Sequence, residues 1–222
     1  MSGSPTPSDA PRRTLATRSA RWAKALAHWL GGAGVRPNAV SLASIACALV
    51  AAGAFVMVPT TPGAGRVALL LVAAASIQLR LLCNLLDGML AVEEGLKSAT
   101  GEIYNEIPDR VADVLILAGA GCAICDLAYG VMLGWAAAVL AVFTAYVRLL
   151  GGSLGVTQSF MGPMAKQHRM FALTLVTLVA AAEAWRDLPL EAIRVGLVVI
   201  VAGSFVTVIR RTRRIAAEME AR

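Results

Sequence analysis

Apolar residues in this chain gather into long blocks, unlike the narrow stripes of surface helices or the alternation of strands. Blocks of bilayer-crossing length fall near 38–58, 66–92, 101–125, 129–152, 167–185 and 190–209. A helix needs roughly 20 such residues to cross about 30 Å of hydrocarbon. Turn-forming stretches separate several of them, at Pro59 to Gly65, Gly95 to Gly101 and Arg186 to Pro189. The pattern predicts an all-α membrane protein with six transmembrane helices within 34–215. Ahead of these, residues 13–31 set Leu15, Trp22, Leu26, Trp29 and Leu30 against Arg18, Arg21 and Lys24. That arrangement predicts an N-terminal amphipathic helix lying in the headgroup layer, with a solvated basic leader as the alternative. The same charges interrupt the apolar run that a cleavable signal peptide would need. Residues 1–12, rich in Ser, Pro and Gly, predict a disordered tail, and 216–222 a short cytoplasmic one.

Composition agrees with this reading and narrows it. Of 222 residues, 58% are hydrophobic and 15% charged, and the mean hydropathy is +0.70, values that a soluble core does not require. The net charge of +6 raises the question of nucleic acid, but no basic stripe with interleaved aromatics exists, so no nucleic-acid partner is expected. The basic residues instead flank the apolar blocks. Arg12, Arg13, Arg18, Arg21, Lys24 and Arg36 precede the first, Lys97 lies between the second and third, Lys166 and Arg169 between the fourth and fifth, and Arg210, Arg211, Arg213 and Arg214 follow the last. The opposite loops carry Arg66, Arg186 and Arg194. The positive-inside rule then predicts a multi-pass protein of a bacterial-type cytoplasmic membrane with both termini cytoplasmic. Cys47, Cys83, Cys122 and Cys125 sit in or beside apolar stretches and read as small buried residues.

Two of the blocks are unlike the rest. Asn84, Asp87 and Ala91 are three and four residues apart, on one helix face with Gly88 beside them, and Asn105, Asp109 and Asp113 recur at intervals of four. Burying such groups uncompensated costs on the order of several kcal/mol. A metal ion and a phosphorylated substrate are the expected compensation. Both rows lie at the cytoplasmic ends of their blocks, so two neighbouring helices bring them to one cleft that opens where nucleotide-activated substrates are found.

These residues resemble the signature of the CDP-alcohol phosphatidyltransferase family: Asp, two residues, Asp-Gly, two residues, Ala-Arg, eight or nine residues, Gly, three residues, Asp, three residues, Asp. The signature meets Asn84, Asp87, Gly88, Ala91, Val92, Gly101, Asn105 and Asp109 with every interval intact. The resemblance also takes in the six helices, the amphipathic leader and Arg36-Pro37-Asn38 before the first span. It implies transfer of a substituted phosphate from a CDP-alcohol, usually CDP-diacylglycerol, to a small hydroxyl acceptor with release of CMP, in phospholipid synthesis. It further implies Mg²⁺ or Mn²⁺ held by Asn84, Asp87, Asn105 and Asp109, Asp109 as general base, and room for the cytidine and pyrophosphate at Gly88, Ala91 and Gly101. A homodimer in the bilayer is implied as well. The chemistry suits these types: hard cations with oxygen ligands neutralise a pyrophosphate that would otherwise repel the incoming oxygen, and a carboxylate takes the acceptor's proton.

Three positions depart from the signature. Asn stands for Asp at 84 and 105, lowering the ligand charge, and Val92 stands for Arg. The Asn pair is similar to a less typical bacterial branch. Asp113, Glu102 or Glu106 is then expected to add a carboxylate; Asp113 is the best placed, with the alternative that it pairs with Arg110 or Arg80. A second constellation, Gly162-Pro163-Met164-Ala165-Lys166-Gln167-His168-Arg169, together with Arg148, predicts an anion site for the acceptor or lipid phosphate at Arg148, Lys166 and Arg169, or else ordinary positive-inside decoration. Two further function classes stay open. One is a catalytically silent CDP-lipid-binding relative that assists a partner enzyme; the other is a small-solute transporter, which the absence of an internal repeat disfavours.

Overall fold

The computed structural model describes residues 21–92, 100–156 and 161–222. Among them the chain forms seven α-helices and no strand: α1 (Arg21–Gly32), α2 (Pro37–Met57), α3 (Gly63–Val92), α4 (Gly101–Cys122), α5 (Gly130–Ser153), α6 (Lys166–Trp185) and α7 (Glu191–Glu220), with a short 3₁₀ turn at Val58–Thr60 after α2. The expected tail at 1–12, the first part of the amphipathic leader and Lys97 lie outside the described residues.

The six apolar blocks correspond to α2 through α7. Four helical stretches, Pro37–Thr60, Gly63–Val92, Gly130–Ser153 and Glu191–Glu220, are long and apolar enough to cross a membrane. α4 and α6 are 22 and 20 residues long but carry Glu102, Glu106, Asp109, Arg110 and Asp113, and Lys166, Arg169 and Glu183, respectively. Those ionisable groups keep both helices below the apolarity of a membrane span judged by composition. α1 buries Ala23 and Ala27 in a small apolar cluster with Val40 of α2 and Leu86, Met89 and Leu90 of α3. Trp22 and Trp29 stay exposed at 54% and 66%.

Two prolines mark the local chemistry of the helices. Pro37 opens α2, where its missing N–H costs nothing. Pro108, the residue before Asp109, lies inside α4, so the carbonyl of Tyr104 loses its usual helical donor.

Small residues set how closely the helices meet. A Cβ placed on Gly119 of α4 would fall 2.9 Å from Cα of Ala52 in α2, and one on Gly121 would fall 2.8 Å from Cα of Gly134 in α5. These backbones touch, the packing that glycine permits where apolar side chains gain little from leaving lipid. α2 packs along both α3 and α4, α3 also meets α6, and α5 meets α4 and α7. α3 and α4 make little direct contact. The two polar rows therefore face each other across a gap, not through a packed helix pair, with α2 packed on both helices.

Candidate active site

The gap is bridged by side chains. On α3, Arg80, Asn84, Asp87 and Ala91 recur at intervals of three and four, which is one helical stripe. On α4, Asp109 and Asp113 are one turn apart. Asp87, Asp109 and Asp113 are 5%, 6% and 1% exposed, so the carboxylates sit inside protein, and each has a protein donor.

Asp113 is held from two sides. Nη2 of Arg80 donates to its Oδ1 at 2.5 Å, and Nη2 of Arg169, from α6, donates to its Oδ2 at 3.0 Å. Arg169 also gives Nη1 to Oγ1 of Thr144 at 2.9 Å and to the carbonyl of Met164 at 3.0 Å. Of the two partners expected for Asp113, Arg80 is the one found, and Arg169 joins it. Arg80 and Arg169 are 0% and 1% exposed, a degree of burial that guanidinium groups tolerate only with paired charge.

Asp109 takes donors on both oxygens. Nδ2 of Asn84 donates to Oδ1 at 2.7 Å, with Nη2 of Arg80 farther off at 3.5 Å and closer to the Asp109 carbonyl, at 3.1 Å. Nζ of Lys166, at the start of α6, donates to Oδ2. Asp87 accepts at Oδ2 from Oγ of Ser41 in α2, at 2.7 Å, and is within electrostatic reach of Asp109 and Lys166.

Lys166 is placed by the segment before it. Gly162 takes φ +129, and a Cβ there would lie 2.4 Å from Cγ2 of Thr207 in α7, so only glycine fits this approach. The N–H of Met164 then donates to Oγ1 of Thr207 at 3.1 Å, and Arg211 of α7 ties in Met161 O at 2.9 Å and Thr144 O at 2.7 Å. Four helices and a loop thus converge on one end of the bundle: the start of α2, the last third of α3, the first half of α4 and the start of α6.

Other expected residues stand farther from this centre. Asn105 is exposed one turn before Asp109, and Gly88, Ala91 and Gly101 are half-buried along the two helices. Arg148 does not reach the aspartates; its Nη2 donates to Oε1 of Glu106 at 2.5 Å, and Arg110 holds the other oxygen of Glu106. Each of Arg148, Lys166 and Arg169 is thus matched to a carboxylate of α4. Glu106 is committed to its arginines and Asp113 to its own pair.

Reading the residues alone missed Ser41 and Thr144 and gave Arg80 only a secondary part. For Arg80 a signal was present: an arginine inside an apolar block, one turn ahead of Asn84 on the same stripe. For Ser41 there was none, because only the packing of α2 against α3 brings it to Asp87.

The donor set is made of hard oxygens, two carboxylates and nearby amides, which suits Mg²⁺ or Mn²⁺ better than softer metals. Among the described residues no three His, Cys, Asp or Glu side chains gather as a metal cluster, so any cation here depends on amide, substrate and water oxygens beside Asp87 and Asp109.

No protein-family model matches the sequence, and no match is found among curated proteins. Solved structures do match. Mycobacterium tuberculosis phosphatidylinositol phosphate synthase in complex with manganese and citrate superposes with a TM-score of 0.72 at 18% identity, covering 87% of this chain and 88% of that one. The same synthase with CDP-DAG bound gives 0.71 at 20% identity, covering 88% and 94%, and its apo form 0.68 at 19%, covering 85% and 93%. At these identities the likeness is one of fold, and over nearly its whole described length this chain has the fold of the CDP-alcohol phosphatidyltransferases, to which that synthase belongs.

Proposed function

We propose that the protein is a membrane-embedded CDP-alcohol phosphatidyltransferase that moves a substituted phosphate from a CDP-alcohol, with CDP-diacylglycerol as the expected donor, to a hydroxyl acceptor and releases CMP. The observation that carries this reading is the meeting of the two signature rows: Asn84 of α3 hydrogen-bonds Asp109 of α4 across the gap, beside Asp87. The synthase of the same fold has been crystallised with CDP-DAG and with manganese, which supports a CDP-lipid and a divalent cation as ligands here.

In the proposed arrangement α4 and α6 also cross the bilayer. At 1.5 Å per residue they are about 33 and 30 Å long, and their charged groups are paired inward. α1 lies in the cytoplasmic headgroup layer, where Trp22 and Trp29 suit an interfacial position, and both termini are cytoplasmic. The converging helix ends then open to the cytoplasm. The homodimer that the family resemblance suggests would form within the membrane.

Asp109 is the proposed base. It receives the proton of the acceptor hydroxyl as the acceptor oxygen bonds to the lipid-linked phosphorus and the bond from that phosphorus to the CMP oxygen breaks. Asn84 and Lys166 fix its orientation, so the carboxylate loses little freedom on meeting the acceptor. Asp87 would hold a divalent cation, with Asp109, Asn84 and Asn105 as further oxygen donors nearby, and that cation would supply charge neutralisation at the pyrophosphate. Gly88, Ala91 and Gly101 leave room for the nucleotide. Arg148 and Lys166, whose side chains are 18% and 27% exposed, remain the candidates to meet an acceptor or lipid phosphate. Arg169 and Asp113, shut away together, hold the scaffold.

A second reading is a silent relative that binds CDP-lipid, favoured by the Lys166 contact that already occupies Asp109. The test is to incubate purified protein in nanodiscs with CDP-diacylglycerol, Mn²⁺ and a panel of polyols, polyol phosphates and amino alcohols, and to follow CMP and new lipid by mass spectrometry. Acceptor-dependent CMP supports transfer; CDP-lipid binding with no CMP from any acceptor supports the silent relative.

A further inference from the structure

We infer that the Lys166 ammonium stands in the place of one divalent cation, so that the site holds a single Mg²⁺ or Mn²⁺ per chain; this rests on the phosphotransferase reading above. Three observations converge. Lys166 sits directly on Oδ2 of Asp109, so a second cation at that oxygen would meet a like charge. Asn84, at the first metal position of the signature, presents its N–H and not its oxygen to the other oxygen of Asp109. An amide facing a carboxylate must do so, because oxygen against oxygen would repel. Asn105, at the third metal position, is exposed and uncharged.

Charge balance points the same way. Arg80, Lys166 and Arg169 equal Asp87, Asp109 and Asp113 in number: Arg80 and Arg169 both pair with Asp113 and Lys166 with Asp109, while Asp87 is held by Ser41. By count these six side chains are neutral before any cation binds. One divalent ion together with a doubly ionised pyrophosphate restores neutrality, whereas two ions would leave a surplus buried beside three fixed cations, which low-dielectric surroundings oppose. The ammonium thus does for Asp109 what a second ion would do: it neutralises the carboxylate, and does so without a ligand cage. Among the described residues no basic side chain forms an ion pair with Asp87, so it is the carboxylate left to the ion that remains.

The test is Mn²⁺ titration of the full chain in nanodiscs with CDP-diacylglycerol, read by calorimetric stoichiometry and by electron paramagnetic resonance. Wild type is expected to bind one ion per chain with the signal of an isolated Mn²⁺. Lys166→Met should bind a second ion or tighten the first by about tenfold, since a like charge has been removed from its side, while Lys166→Arg keeps wild-type behaviour. Should Lys166→Met fail to fold, Asn84→Asp serves: it adds a carboxylate against Asp109 and should tighten Mn²⁺ or admit a second ion. Two exchange-coupled Mn²⁺ in wild type, with CMP still released, would overturn the inference and leave the proposed function standing. Unchanged or weaker Mn²⁺ binding in both Lys166→Met and Asn84→Asp would also overturn it. No Mn²⁺ binding by wild type would overturn the inference and the metal-assisted reading together.

Discussion

Arg80 on α3 and Asp113 on α4 meet at 2.5 Å with side chains 0% and 1% exposed, a buried ion pair that spans the gap between two helices whose backbones scarcely touch. With Arg169 on the other carboxylate oxygen, Asp113 joins α3, α4 and α6 beneath the proposed site. Asp109 lies one turn above on α4, so this triad sets the height and rotation of the turn that carries the proposed base.

Removing Asp113 leaves two buried guanidinium groups facing each other. Asp113→Ala should destabilise the protein by about 3–5 kcal/mol, seen as a large fall in the thermal unfolding midpoint in detergent. Pairing it with Arg169→Met should recover part of the loss, because one of the stranded charges goes as well. Independent, additive losses would show that the triad does not act as a unit.

Ser41 holds one oxygen of Asp87 at 2.7 Å. Hydrogen bonds to charged groups contribute about 1.5–3 kcal/mol, so Ser41→Ala should lower CMP release by roughly one to two orders of magnitude at fixed Mn²⁺. Stability should fall as well, by about 1.5–3 kcal/mol, because the buried Asp87 carboxylate loses a donor. Full activity in Ser41→Ala would detach this hydroxyl from the site.

Gly121 and Gly134 press backbone on backbone where α4 crosses α5. Gly121→Val forces the helices apart and should cost about 1–3 kcal/mol or more, read as a lowered unfolding midpoint. Gly53, where an added Cβ would meet nothing within 4 Å, is the matched control and should tolerate alanine.

Cys125 is exposed in the connection after α4, at the end of the bundle away from the aspartates. If α4 crosses the membrane as proposed, a membrane-impermeant maleimide added outside intact spheroplasts should label Cys125 and leave Cys125→Ser unlabelled. Labelling only after lysis would place that connection in the cytoplasm and reverse the topology.

Much of this arrangement was legible from spacing alone. The interval of four between Asp109 and Asp113, and the steps from Asn84 to Asp87 and Ala91, specify helix faces without any knowledge of neighbours. Spacing cannot say which helix lies next to which. The packing of α2 on both α3 and α4, and with it the contact of Ser41 with Asp87, depends on long-range approaches such as Gly119 against Ala52. Lys166, read as a phosphate ligand, lies on Asp109 because Gly162 and Thr207 dock the preceding loop against α7, a long-range contact with no local pattern. Composition also blurs the span count: α4 and α6 carry inward pairs that lower their apolarity while satisfying one another.

The most direct measurement is Mn²⁺-dependent release of CMP from CDP-diacylglycerol by wild type and by Asp109→Asn, each in nanodiscs with an acceptor found in the panel. Wild type should turn over, and the variant should lose about two to four orders of magnitude in rate while still binding the CDP-lipid. Equal rates in the two proteins would contradict the assignment of the chemistry to the cleft between α3 and α4.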